Sequence, residues 1–436
     1  MRINQDEVAE RLAAVRAARS ADAEVAAMAG ASPRLWLAVD DGARRHPRGY
    51  RGVLARALGR DGRLREAALT RLDERIALPV LAIRAADWVP QVRERARREC
   101  LRHLFRDPMT AVDLFPFACL LRPRAQGEWL AVTLEGMLRT PEVRSATLAS
   151  PDVLTRRTVY TSGRADVGEL TAGLQDADLK IRLACAARLA GSTDPEVLHL
   201  LRSSGTAALR ARAVRDPADA LPALADPASL VRAYAQFVLR RAGEDPAPHY
   251  RTLVTAAASP GAVAGLGETG TEADGALLLP LLGDPRPKVR VETVRALRRL
   301  RVVPVDRLAP LLADPSPRVA RQVVLALRGC ATEIDEAALR RMLDPGQPGH
   351  RRRNAFQLLS ARDTWTRLAL DLRLLLGPDE PLRETARNDL SNWFAHGSAT
   401  TYTAPRGERA AELRDLVSRA EPLLGEARAR VLRLFL

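Results

Sequence analysis

The chain has 436 residues, with 68 Lys and Arg against 53 Asp and Glu, a net charge of +15 and only 4% aromatic residues. Its 4 cysteines are scattered without a Cys-x-x-Cys pair, which excludes a disulfide scaffold, and no apolar run approaches the roughly 20 residues that span a bilayer. The charge admits nucleic acid, an anionic surface or an acidic protein as partner. Yet Lys180 and Lys288 are the only lysines, and an arginine bias beside abundant Ala, Leu and Pro accompanies GC-rich coding.

Residues 1–48 read as two or three helices forming an N-terminal cap. The opening MRINQDEVAERLAAVR is charged and has no apolar centre, so no signal peptide and a cytoplasmic protein are expected. A basic cluster follows at 43–65, ARRHPRGYRGVLARALGRDGRLR. It holds Arg44, Arg45, Arg48, Tyr50, Arg51, Arg56, Arg60, Arg63 and Arg65 against the single acid Asp61. Arginines with an interleaved aromatic suit an anion or nucleic-acid surface; the alternative is a solvated face paired with acids of neighbouring helices.

From residue 59 a phrase recurs: a turn acid, a Val-Arg, Ile-Arg or Leu-Arg pair, then an Ala/Leu-rich helix. It is readable at 59–72, at 86–101 (ADWVPQVRERARRECL), at 174–191 with Asp176 and Arg182, and at 224–243 with Asp226 and Arg232. Its fullest forms are LLGDPRPKVRVETVRALRRL (281–300), with Asp284 and Arg290, and LLADPSPRVARQVVLALRGC (311–330), with Asp314 and a displaced Arg321. Shorter or longer versions stand at 342–359 and 376–390. Asp284, Asp314 and Asp344 fall at intervals of 30; wider gaps of 50 and 58 upstream imply degenerate repeats near 200 and 260. The stretches 108–165 and 244–275 do not show the phrase, and RPRAQGE (122–128) and SPGAVAGLGETGTEADG (259–275) read as long connections or degenerate units.

Physically the phrase is helix end, turn, helix start. The prolines break one helix, and Pro287 or Pro317 opens the next, with Ser316 as an N-cap. Val289, Thr293, Ala296, Leu297 and Leu300 then share a face at helical spacing, while Arg290, Arg295, Arg298, Arg299 and Arg301 fall away from it. One such hairpin cannot bury its apolar side alone, and stacked copies can. The turn D-P-x-P-x-V-R followed by such a helix resembles HEAT repeats, and is most similar to the short bacterial HEAT-like type named after phycobilisome lyases. The resemblance covers about 174–390 clearly and 59–107 in part. It implies an all-α superhelical solenoid of two-helix repeats, and a ladder of turn Asp and following Arg that makes Asp176, Arg182, Asp226, Arg232, Asp284, Arg290, Asp314 and Arg321 structural.

Residues 49–390 are therefore expected to form the repeat array of roughly ten to thirteen units. SNWFAHGSATTYTAPRG (391–407) breaks the helical pattern, and 408–436 resume as a C-terminal cap. The function expected of such an array is a non-catalytic scaffold offering a concave surface to a protein partner. The alternative is nucleic-acid binding. Some HEAT-like proteins resemble DNA glycosylases that recognise cationic alkylated purines with groove aromatics and a carboxylate, and Asp87-Trp88, Glu128-Trp129 and Asp363 with Trp365 pair those residue types. Core packing is the competing role for each Trp. Cys100 and His103 share a helix face but lack two further ligands, so no metal is expected. No phosphate loop, dinucleotide fingerprint or nucleophile elbow appears, so no cofactor and no catalytic residue is assigned.

Overall fold

A computed structural model describes residues 4–45 and 51–436. Every regular element among them is helical, and the chain forms two compact units, Met1–Arg212 and Ala213–Leu436. No helix among the described residues is long and apolar enough to cross a membrane.

In the first unit, consecutive helices pack as antiparallel hairpins. Glu74–Arg84 pairs with Pro90–Arg106, Thr110–Leu121 with Glu128–Met137, Pro141–Leu148 with Val153–Thr161, and Val167–Gly173 with Leu179–Arg188. The second unit repeats the plan. Pro217–Ala223 pairs with Ser229–Arg241, Pro246–Ala256 with Pro260–Thr269, and Thr364–Leu376 with Glu380–Asn392. The first helix of the 281–300 phrase is short and ends in a tight 3₁₀ turn, Leu279–Gly283, before Pro287–Arg299. The predicted apolar face of that helix is the buried one: Val289, Thr293, Ala296, Leu297 and Leu300 are all buried.

The turn is held by two side chains. The aspartate accepts the backbone N–H two residues on: Asp176 from Asp178 (2.7 Å), Asp226 from Ala228 (2.8 Å), Asp284 from Arg286 (2.8 Å) and Asp314 from Ser316 (2.7 Å). Ser316 occupies the N-cap position as expected, but its hydroxyl makes no capping bond; Asp314 instead accepts the N–H of Ser316 itself. The arginine six residues after the aspartate folds back and donates to the carbonyls of the turn. Arg182 reaches Asp176 O (2.6 Å), Arg232 reaches Asp226 O (2.9 Å) and Arg290 reaches Asp284 O (2.7 Å). Arg290 is thus buried, against the expectation that it would fall on the outer side.

The same guanidinium then crosses to the next hairpin. Arg290 Nε and Nη2 donate to Asp314 (both 2.9 Å), Arg156 Nε donates to Asp176 (3.0 Å) and Arg65 Nη2 donates to Asp87 (2.9 Å). Arg232 meets Glu268 at 2.6 Å instead of an aspartate. The implied ladder therefore runs from each arginine to its own turn backbone and, at Arg65, Arg156, Arg232 and Arg290, on to an acid of the next hairpin, whereas Arg182 meets the Thr206 hydroxyl (3.5 Å). Arg321 is exposed, because the residue six after Asp314 is the buried Ala320.

The 108–165 stretch, which lacks the phrase, nonetheless uses the arginine, as does the region near 200. Arg144 donates to Leu138 O (3.3 Å) and Arg156 to Ser150 O (2.8 Å), and Arg210 holds Ser204 O (2.8 Å) near the degenerate repeat expected at 200. The glycine-rich 259–275 stretch is no loop. Ser259 caps the helix Pro260–Thr269, whose glycines allow close approach. A Cβ on Gly267 would sit 2.6 Å from Ala296 Cα, and one on Gly265 would strike the Tyr250 ring. Residues 393–400 form a π turn and a 3₁₀ turn, and Trp393 is buried with Trp365, Leu413, Leu416 and Val417.

Candidate functional site

The 43–65 cluster divides by burial. Arg48 and Tyr50 lie outside the described residues. Arg45, Arg51, Arg56, Arg60 and Arg63 are exposed, and Arg45 pairs with Asp41. Arg65 is not a surface group, contrary to expectation: it is fully buried, bonded to Gly59 O (3.1 Å), Arg60 O (2.6 Å) and Asp87. Arg44 is half-tucked against Asp40 (2.7 Å). Beneath it Arg84, wholly buried, bridges Asp87 (2.8 Å) and Asp40.

Burial pushes Arg44 and Arg84 below the ordinary guanidinium range, and Asp87 partly offsets this in both. Burial raises Asp87, but Arg84, the Val89 N–H and Arg65 outweigh it and hold the carboxyl below its usual value. Arg44, Arg84 and Arg124 stand at or just past the ends of the helices Pro33–Arg45, Glu74–Arg84 and Thr110–Leu121. The negative ends of those helices, together with Asp40 and Asp87, balance the cations. This is a structural knot.

That placement corrects the expectation that Asp87 serves a groove. It is 1% exposed and spent on two guanidiniums. Trp88 is 56% exposed, but the Arg44 and Arg65 guanidiniums lie 4.5 and 4.6 Å from its ring centroid, so cations of the chain itself already occupy it. Trp129 is half-buried under Arg97 (4.9 Å), and its neighbour Glu128 points to solvent at a helix start. Asp363 is a helix cap that accepts from Trp365 N, Thr366 N (both 2.9 Å) and the Thr366 hydroxyl (2.6 Å). Burial raises it, but those hydrogen bonds keep its carboxyl below the normal value. Trp365 is core, donating from Nε1 to Thr403 (3.1 Å) and packing on Phe435. None of the three acid–tryptophan pairs forms a shared pocket.

What the sequence reading passed over is the outer face of Ser229–Arg241. Its inner face is Val231, Ala235, Val238 and Leu239, with Arg232 and Gln236 bonded to Glu268. Leu230, Tyr234 and Phe237, one stripe at helical spacing, are 52%, 44% and 53% exposed. The two rings lean together with centroids 6.1 Å apart. Arg240 and Arg241 continue the stripe and are exposed. The signal was available in register: four, eight and eleven residues after the turn aspartate stand Leu230, Tyr234 and Phe237, but Lys288, Glu292 and Arg295 in the later copy. Single exposed hydrophobics are ordinary, whereas three on one stripe form a candidate interaction face.

No family model matches the chain, and no curated protein does either. Among solved structures, a crystal structure of importin beta in a polyethylene glycol condition is similar over 98% of this chain and 66% of that chain, at 12% identity and TM-score 0.45. A Kap121p mutant is similar over 99% of this chain and 51% of its own, at 12% identity and TM-score 0.29. An engineered protein covers 89% of this chain at 14% identity and TM-score 0.27. The chain spans about two thirds or less of the importin beta and Kap121p chains it resembles. On its own helices, turns and ladder, the fold is an all-α solenoid type built from HEAT-like two-helix repeats.

Proposed function

We propose that this protein is a non-catalytic scaffold of the bacterial HEAT-like type, acting in the cytoplasm, and that it binds a protein partner. In this reading residues 49–390 are the working array, and 1–48 and 391–436 close its two ends. The observation that carries the reading is the solvent-facing stripe Leu230, Tyr234 and Phe237 on a helix whose other face is fully packed. Removing half-exposed side chains of this size from water contributes roughly 1 kcal/mol or more each, and aromatic anchors of this kind carry most of the affinity at protein interfaces.

Binding of nucleic acid through Arg51, Arg56, Arg60 and Arg63 is the lesser reading. Its glycosylase form is left with Glu128 alone, solvent-facing at a helix start, since Asp87 and Asp363 are both engaged. To test the scaffold reading, a photo-crosslinking residue is placed in cells at position 234 and, as control, at the still more exposed position 434. The expected result is a protein adduct of discrete mass at 234 alone. The same adducts at both positions, or nucleic acid as the main adduct at 234, would remove the reading.

A further inference from the structure

We infer that the face bearing Leu230, Tyr234 and Phe237 takes an acidic protein segment with aliphatic or aromatic anchors; this rests on the scaffold reading above. The apolar stripe is where an anchor would sit. Around it the second unit displays cations in register. Arg240, Arg298 and Arg328 each lie fourteen residues after a turn aspartate, Asp226, Asp284 or Asp314. All three are exposed, as is Arg241 one helical turn beyond Phe237. None of these four has an ion-pair partner among the described residues, although arginines turned inward on the same helices do: Arg232 on Glu268 and Arg290 on Asp314.

An occupant seated on the stripe brings its flanks against these guanidiniums. Neutral flanks would strip water from them and return nothing, and basic flanks would be repelled. Carboxylates supply charge-assisted hydrogen bonds at that point. A nucleic-acid strand shares the charge but not the centre. Leu230 is aliphatic, and the Tyr234 and Phe237 rings are inclined by 42° to each other, so they tile a surface for apolar side chains and do not present parallel platforms for successive bases.

The test is selection of a phage-displayed library of random 20-residue peptides on the full-length protein. The enriched clones are compared between wild type, Phe237→Ala, and the double variant Arg240→Glu/Arg241→Glu. All three side chains are exposed, so circular dichroism and melting should match wild type and show the variants folded. The expected outcome is enrichment of net-acidic clones containing Leu, Phe or Trp, with binding of the leading peptide falling at least about tenfold in each variant. Neutral or basic clones that need Phe237 but ignore the charge reversal would overturn the acidic class and leave the docking face standing. Clones indifferent to Phe237→Ala, or no enrichment above background, would overturn both. Displacement of the leading peptide by single-stranded DNA at lower concentration than by the free peptide would assign the face to nucleic acid and overturn the proposal.

Discussion

Two helices of the second unit, Ser229–Arg241 and Pro287–Arg299, have nearly the same inside and very different outsides. Each starts from an aspartate turn, and each sends an arginine back to the turn carbonyls and on to an acid, Arg232 to Glu268 and Arg290 to Asp314. Outward, one shows Leu, Tyr and Phe; the other shows Lys288, Glu292 and Arg295, with Arg295 paired to Glu292 (2.7 Å). The difference teaches that the repeat constrains only the buried half of each helix. The outer half is free to differ, and function is to be sought where it does.

The sharpest way to break this comparison is to cut a rung. Arg290→Ala leaves Asp314 buried without its cation, and the unit containing it is expected to lose about 3–5 kcal/mol in urea unfolding. Arg298→Ala, on the outside of the same helix, should change stability by less than about 0.5 kcal/mol. Equal effects would show that inner and outer positions are not distinguished as described. Next in size is the glycine-rich helix. Gly267→Ala puts a methyl against the Ala296 backbone, and a loss of about 1–3 kcal/mol is expected from thermal melting.

A buried acid without an arginine rung sharpens the point. Asp371 is buried beside Asp389, while Arg367 is bound to Asp389; neither Asp371 oxygen accepts a hydrogen bond, and burial followed by the Asp389 charge raises it to about 9. Since the native carboxyl holds its proton above the unfolded value of 3.8, the native state binds more protons between these limits, and stability falls as pH rises from about 4 to 9. Asp371→Asn should flatten that fall and stabilise the protein at pH 8 by at least about 1 kcal/mol, read from melts across pH. A wild-type slope of the opposite sign would refute the assignment.

The smallest effect is expected at Arg301, the only non-glycine residue with positive φ among the described residues (63°). It stands where Gly243 (φ 85°) ends the equivalent helix. Arg301→Gly should gain about 0.5 kcal/mol, the relief of left-handed strain less the added chain entropy of glycine. A loss would mean the side chain contributes a contact that outweighs the strain.

The turn-and-helix phrase was legible because an acid and an arginine stand six apart at Asp176, Asp226 and Asp284, with Asp314 the exception. Copies at 138–144 and 150–156 were missed because the arginine there grips backbone carbonyls, Leu138 O and Ser150 O, which every residue owns. Only the arginine is then required, and one arginine among many is no signal. The acid–tryptophan pairs misled for a related reason. Adjacency in sequence does not reveal that Asp87 faces inward to Arg65 and Arg84 while Trp88 faces out. The stripe at Leu230, Tyr234 and Phe237 was hidden by chemistry: in an array rich in buried leucine, an exposed leucine looks the same on paper.

The interruption at Ala320 has a mechanical meaning. From Arg290 to Asp314 two charge-assisted bonds fasten neighbouring hairpins like a stitch. After Asp314 no arginine returns from position 320, and the following seam is joined by Arg351 and Arg362 reaching the carbonyls of Ala313 and Ala331 (both 2.7 Å), bonds to neutral acceptors that hold less firmly than a paired ion bond. Under load or partial denaturation the second unit should yield there first, bending about that seam while the two hairpins joined by Arg290 and Asp314 stay together.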